Sequence, residues 1–185
     1  LQELARRQGL SPPYIVVGHS MGGQYAQLFA RLYPDQVSGL VLVDALPPGA
    51  LKPSTDFPWY TRLGLWIFAP DHARGEIHNA YAIGQALLAQ PGNFRKPLIR
   101  LVAEPDPAAT KPEGIVKGLL KGVVYAEDFG VWAMSPDDAE RRLDDVYPDS
   151  VVRRLKANHR LPELAPDGVV EAILDAIRLA AVASR

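Results

Sequence analysis

The stretch Val16-Val17-Gly18-His19-Ser20-Met21-Gly22-Gly23 constrains this chain more than any other. It reads Gly-x-Ser-x-Gly, with the apolar run Tyr14 to Val17 before it and a helical pattern after it. A chain that leaves a buried strand, turns sharply and enters a helix holds the turn residue in a strained conformation, its side chain exposed above the sheet edge. Gly18 and Gly22 are expected to lack side chains because the backbones flanking such a turn approach closely. The helix that follows places free N–H groups and the positive end of its dipole beside the Ser20 hydroxyl, where an oxyanion would form.

Composition narrows the possibilities. With 185 residues, 48% of them hydrophobic and 22% charged, the chain can bury a core as one domain and is not disordered. A net charge of -1 gives no electrostatic reason to expect nucleic acid or an anionic membrane as partner. The absence of cysteine excludes disulfides, thiolate catalysis and cysteine-ligated metals, and it fits a reducing cytoplasm. No run approaches the roughly 18 apolar residues of a membrane-spanning helix.

Periodicity sketches the rest. Leu1 to Gln8 reads as a helix closed by Gly9, and Ser11-Pro12-Pro13 as a turn. Strand Tyr14 to Val17 does not alternate, which predicts cover on both faces as in a parallel sheet. A helix from Met21 to Tyr33, stopped by Pro34, is expected to turn Met21, Tyr25, Leu28, Phe29 and Leu32 inward. The apolar strand Gly39 to Val43 completes a βαβ unit. From 45 to 95, prolines and aromatics such as Phe57, Trp59, Trp66 and Phe68 suit either a loop-rich packing segment or a lid with an apolar lining. A third strand, Leu98 to Ala103, ends in Glu104-Pro105-Asp106-Pro107, and Gly114 to Val124 is weakly helical. Ser135 is a helix N-cap with Pro136 at the first position. Strand Ser150 to Leu155 is more polar and so nearer a sheet edge, and Ala157 to Leu161 is a loop. Pro166 to Ala183 is a closing helix with Val169, Val170, Ile173, Leu174 and Ile177 inward.

Residues Gly18 to Gly23 resemble the nucleophile elbow of the α/β-hydrolase family, and Leu40 to Asp44 resembles the strand that follows it there. The resemblance implies an α/β fold with a mostly parallel sheet, about four strands of it present, flanking helices and a lid. Residues 1–44 and 96–185 would form the core and 45–95 the lid, because relatives insert caps at that place. A serine hydroxyl needs a base to accept its proton. Of four histidines, His19 is locked beside the serine and is expected to pack or hydrogen-bond locally. His72 and His78, with Glu76 between them, do not share a helix face and read as solvated surface residues, not metal ligands. His159 follows the last strand and precedes the last helix, matching the Ser…Asp…His order of the fold. Asn158 stands where the family commonly has glycine, and asparagine tolerates left-handed backbone. For the acid, Asp106 resembles the family's acid-bearing loop and is preferred. Asp44 is the main rival, since some relatives carry the acid after the strand following the elbow, and its other role would be a turn residue at the strand end. Glu104 is a weaker candidate.

These readings lead to an expected serine hydrolase acting on carboxylic esters through an acyl-enzyme. Ser20 attacks, His159 serves as base and then acid, Asp106 orients the imidazole, and the Met21 N–H forms one arm of the oxyanion hole. Serine at the elbow argues against dehalogenase or epoxide-hydrolase chemistry. Lactonase, thioesterase, amidase and carbon–carbon bond hydrolase remain alternatives within the fold, and a non-catalytic binding module outside it. A small-molecule ester is the expected partner, with no cofactor and no metal. In the resembled fold four strands precede the elbow strand, and the second oxyanion N–H follows the third. The chain starts one helix before the elbow, without an initiator methionine, so it is expected to be the C-terminal part of a longer enzyme. Expressed alone, with the strand Tyr14 to Val17 uncovered, it is expected to be poorly soluble and weak or dead as an esterase.

Overall fold

A computed structural model describes residues 1–90, 94–104 and 129–183. Four strands, β1 (Tyr14–His19), β2 (Val37–Val43), β3 (Leu98–Ala103) and β4 (Val151–Leu155), form one parallel sheet in that spatial order. Around it lie α1 (Gln2–Arg7), α2 (Met21–Leu32), α3 (Trp59–Phe68), α4 (Asp71–Ala89), α5 (Pro136–Val146), α6 (Leu161–Leu164) and α7 (Pro166–Ala183). The helix expected over 114–124 lies outside the described residues.

The unbroken apolar run of β2 has a simple cause. Leu40 and Leu42, with Leu98 of β3, pack against Ala26, Phe29 and Ala30 of α2 and Leu143 and Tyr147 of α5. The intervening Val41 and Val43, with Ile99 and Leu101, face Leu161, Val169, Ala172 and Ala176 of α6 and α7. Both faces are covered, so neither alternates with solvent. The polar β4 is an edge strand, as its sequence predicts. β1 forms the opposite edge of the described sheet, as expected of an uncovered strand, but the cover expected on both of its faces is incomplete, with Val17 42% exposed. The two core clusters are centred on β2 and β3, and β1 reaches them only through Tyr14, Ile15 and Val16.

Two helices present smaller faces to the sheet than their apolar residues suggest. In α7 the buried row is Val169, Ala172, Ala176 and Ala180, while Val170, Leu174 and Ile177 stand about half exposed. In α2 it is Gly23, Gln24, Ala26, Gln27, Phe29 and Ala30, and Leu32 is exposed. Small side chains let a helix axis approach the strands, and the larger residues then flank the contact. The predicted cap at α5 forms, with Ser135 Oγ accepting from the Asp138 N–H at 3.1 Å. Arg100 is buried on the α5 side of β3, where its Nε donates to Ser150 Oγ at 2.8 Å and its guanidinium pairs with Asp144.

The elbow between β1 and α2 depends on two close approaches. A Cβ on Gly18 would lie 2.6 Å from the Gly22 carbonyl oxygen and 2.8 Å from Ala26 Cβ. One on Gly23 would lie 2.2 Å from Ala45 Cβ, in the segment leaving β2. Gly22, in contrast, has no atom within 4 Å of its Cβ direction, so Gly18 and Gly23, not Gly18 and Gly22, are the sterically required pair. The same face of α2 holds that segment by hydrogen bonds. Gln24 Nε2 donates to the Pro47 carbonyl at 2.9 Å, and Gln27 Nε2 to the Leu46 carbonyl at 3.1 Å. Residues 50–52 then run antiparallel to 131–133, with Lys52 N–H to Val131 O at 2.9 Å and Ala133 N–H to Ala50 O at 2.8 Å. Beyond them α4 packs on α2, tied by Arg31 Nη1 to the Leu87 carbonyl at 2.6 Å. α3 leaves Trp59, Leu63, Trp66 and Ile67 exposed.

The two glycines of the helix should therefore respond oppositely to a methyl group. Gly23→Ala overpacks and should cost about 1–3 kcal/mol. Gly22→Ala should be neutral or stabilise by up to about 1 kcal/mol through helix propensity. Urea denaturation of both variants checks this, and equal effects would show that the Ala45 contact does not constrain the elbow.

Candidate active site

Among the described residues, two non-glycine residues have positive φ: Ser20 at 54° and Asp44 at 41°. Each sits one residue beyond its strand. Strain of this kind costs on the order of 1–3 kcal/mol per residue and persists only where the surroundings over-determine it. Ser20 is held by its N–H on the Val43 carbonyl at 3.0 Å, while its own carbonyl accepts from Gly23 at 3.0 Å and Leu46 at 3.1 Å. Its ψ of -125° turns the side chain out of the sheet at the N-terminus of α2. Asp44 is held by its N–H on the Leu101 carbonyl at 2.7 Å, and its Oδ1 accepts from the Ala103 N–H at 3.0 Å. One carboxylate oxygen is thus fastened to β3, and the other is turned outward.

That second oxygen meets His159. Asp44 Oδ2 lies 2.6 Å from His159 Nδ1, and His159 Nε2 lies 2.8 Å from Ser20 Oγ. His159 stands in the connection between β4 and α6, where Asn158 Oδ1 accepts from the Arg160 N–H at 3.0 Å. Asn158 does not use the left-handed backbone that asparagine tolerates; its side chain closes the turn instead. Burial pulls the Asp44 carboxyl upward. The hydrogen bonds from His159 and Ala103 and the charges of His159 and His19 outweigh it, so its pKa lies below the ordinary carboxylate value. An ionised carboxylate only accepts, so His159 Nδ1 carries the proton and Nε2 presents its lone pair to the Ser20 hydroxyl. The arrangement can deprotonate that hydroxyl and stabilise the imidazolium so formed.

Asp106, the acid preferred from the sequence, lies outside the described residues; the carboxylate on His159 Nδ1 is that of Asp44, the rival. The signal for Asp44 was its place after the strand that follows the elbow, where some relatives of the resembled family carry the acid. Glu104 follows β3, its N–H on the Leu155 carbonyl at 2.9 Å. His19 does not bond locally as expected. Its Nε2 lies 2.8 Å from the backbone carbonyl of His159, 140 residues away. His72 and His78 are exposed on α4. Among the described residues no group of three His, Cys, Asp or Glu side chains is placed to hold a metal ion, and no helix is long and apolar enough to cross a membrane.

A parallel sheet flanked by helices, with a strained serine between β1 and α2, defines a protein of the α/β-hydrolase class. The model of the alpha/beta hydrolase family matches residues 1–172, and the chain belongs to that family. It is 30% identical over 144 residues to the mouse (Mus musculus) sn-1-specific diacylglycerol lipase ABHD11, a match covering 75% of this chain and 40% of that protein. A protein of Schizosaccharomyces pombe is 39% identical over 57 residues, 31% of this chain and 11% of its own length. The chain thus spans well under half the length of these curated relatives. Among solved structures, a Pseudomonas aeruginosa hydrolase superposes with a TM-score of 0.54 at 15% identity, covering 95% of this chain and 68% of that one. The monoacylglycerol lipase of Paleococcus ferrophilus gives 0.52 at 15% identity, covering 97% and 72%.

The depressed pKa of Asp44 carries a sign. The stabilisation from its ionised form is present above the unfolded value near pH 4 and is lost as pH falls through the lower folded value. Asn keeps the side-chain shape and tolerates the left-handed backbone, so Asp44→Asn removes the charge with little steric change. The stability gap between the native protein and Asp44→Asn, from urea denaturation, should persist at pH 7 and pH 5 and narrow at about pH 3. A gap that widens at pH 3 would show that Asp44 is not stabilised as a carboxylate.

Proposed function

We propose that the chain carries the nucleophile, base and acid of a serine hydrolase acting on carboxylic esters. Ser20 Oγ attacks the acyl carbonyl as His159 Nε2 takes its proton. Asp44 holds the tautomer and stabilises the imidazolium, which then protonates the leaving alcohol. Water, deprotonated by the same His159, hydrolyses the acyl-enzyme. The Met21 N–H, at the first position of α2, donates to the oxyanion, aided by the helix dipole. Residues 45–95 act as the lid in this reading, since they follow Asp44 directly in the chain. The observation that carries the proposal is the continuous hydrogen-bonded path from Ser20 Oγ through His159 to Asp44. Similarity to a lipase supports an ester over other acyl compounds.

The test uses the full-length protein, a fluorophosphonate probe and chromogenic esters of graded acyl length. Ser20→Ala and His159→Ala should each abolish labelling and lower turnover on the order of 10⁶-fold while leaving the fold intact, because members of such a triad act as a unit. Ordinary turnover by Ser20→Ala would refute the mechanism. Thioester turnover well above that of the matched oxygen ester would move the substrate class.

The acid has its own test. Asp44→Asn should lower turnover roughly 10⁴-fold by forcing the wrong imidazole tautomer, and Asp106→Asn far less. The reverse ranking would transfer the role to Asp106.

A further inference from the structure

His19 is half-buried at the end of β1, next to the nucleophile, and the mechanism above gives it no task. Its Nε2 lies 2.8 Å from the backbone carbonyl oxygen of His159, and the two imidazole rings sit 4.8 Å apart, tilted by 33°. A carbonyl oxygen only accepts, so Nε2 of His19 carries the proton and donates it to this bond. Among the described residues, His159 is therefore gripped at three atoms: its carbonyl by His19, Nδ1 by Asp44 and Nε2 by Ser20. Two of the three grips come from consecutive residues of one strand end.

We propose that His19 is a positioning residue that tethers the peptide of His159 to the strand end bearing Ser20. The proposal rests on the catalytic reading given above. Ser20 and His19 share a backbone whose direction is set by the β1–β2 register. A hydrogen bond from His19 to the His159 peptide therefore makes base and nucleophile move as one body. His159 lies in a short connection that leaves β4, and β4 is separated from β1 by two strands. Without the tether, any drift of that connection relative to β1 would lengthen the bond from Ser20 Oγ to Nε2. A misplacement of about 1 Å can cost on the order of 10²-fold in rate. His19 bonds the backbone carbonyl of His159 and not the ring nitrogens, so it acts through position and not by proton transfer. Its effect should fall on kcat and leave KM alone, because positioning of the base matters only once the substrate is bound.

Substitutions separate the tether from simple space-filling. In His19→Gln the side-chain amide can place an N–H near the position of Nε2 without an aromatic ring. In His19→Phe the ring stays and the donor is lost. Steady-state kinetics on an activated ester are measured for the full-length protein, both variants and Ser20→Ala, with circular dichroism of each. His19→Phe should lose about 10- to 100-fold in kcat with KM within about twofold, and His19→Gln should recover to within about threefold of the native rate. Should His19→Phe fail to fold, His19→Asn, whose amide stops one methylene short, takes its place with the same expected loss. Native turnover by the donor-less variant would overturn the proposal, and so would equal impairment of the donor-less variant and His19→Gln. A native protein that neither labels nor turns over would overturn the catalytic reading and this one with it. If the native protein is active and Ser20→Ala is silent, the His19 series judges the tether alone.

Discussion

One strand register governs the spacing of the candidate site. In the parallel pair of β1 and β2, His19 stands opposite Val43, so the residues that follow, Ser20 and Asp44, leave the sheet at the same level. The bond from Ser20 N–H to the Val43 carbonyl and the bond from Asp44 N–H to the Leu101 carbonyl extend the sheet's hydrogen bonding one step past its strands. Both residues then take positive φ, which turns each chain sharply away from the strand direction. A slip of β1 by one residue would turn the Ser20 side chain to the face opposite Asp44. The parallel ladder prevents that slip because β2 is buried on both sides and its two faces belong to different helices.

The strained backbone is offset by packing of unusually small groups. Gly18, Gly23, Ala26 and Ala45 meet where β1, α2 and the segment after β2 converge, and any side chain at Gly18 or Gly23 would collide. Removing bulk brings backbones together but leaves polar groups to be satisfied in a dry environment. The buried amides of Gln24 and Gln27 do this for the carbonyls of Pro47 and Leu46. Gln27 Oε1 in turn accepts from the Tyr147 hydroxyl at 3.2 Å, which joins the elbow to α5. The acid-bearing segment is thus supported by polar contacts where a larger hydrophobic face would have kept it at a distance.

Electrostatics complete the arrangement. Asp44 keeps its charge despite burial because each of its oxygens has a donor, one from β3 and one from His159. A fixed negative charge on one side of the imidazole makes the tautomer unambiguous. It also leaves the serine-facing nitrogen basic. Membership in the alpha/beta hydrolase family agrees with this geometry.

Much of this was legible in the sequence. Gly18 to Gly23 announced a strand, a turn and a helix, and the boundaries of β3 and α7 follow from apolar patterning alone. Ser20 and His159 were recognisable as a pair from residue type and chain order. The tertiary structure decided what depends on distance between segments remote in sequence. It brought the carboxylate of Asp44 to His159 Nδ1, because the parallel sheet points the ends of β2 and β4 to the same edge although β3 lies between them. It turned Ala172, Ala176 and Ala180 of α7 inward, because close approach to the sheet rewards small residues, which hydrophobicity patterns rank low. It also gave His19 a partner 140 residues away, since a side-chain hydrogen bond is chosen by geometry that periodicity does not encode.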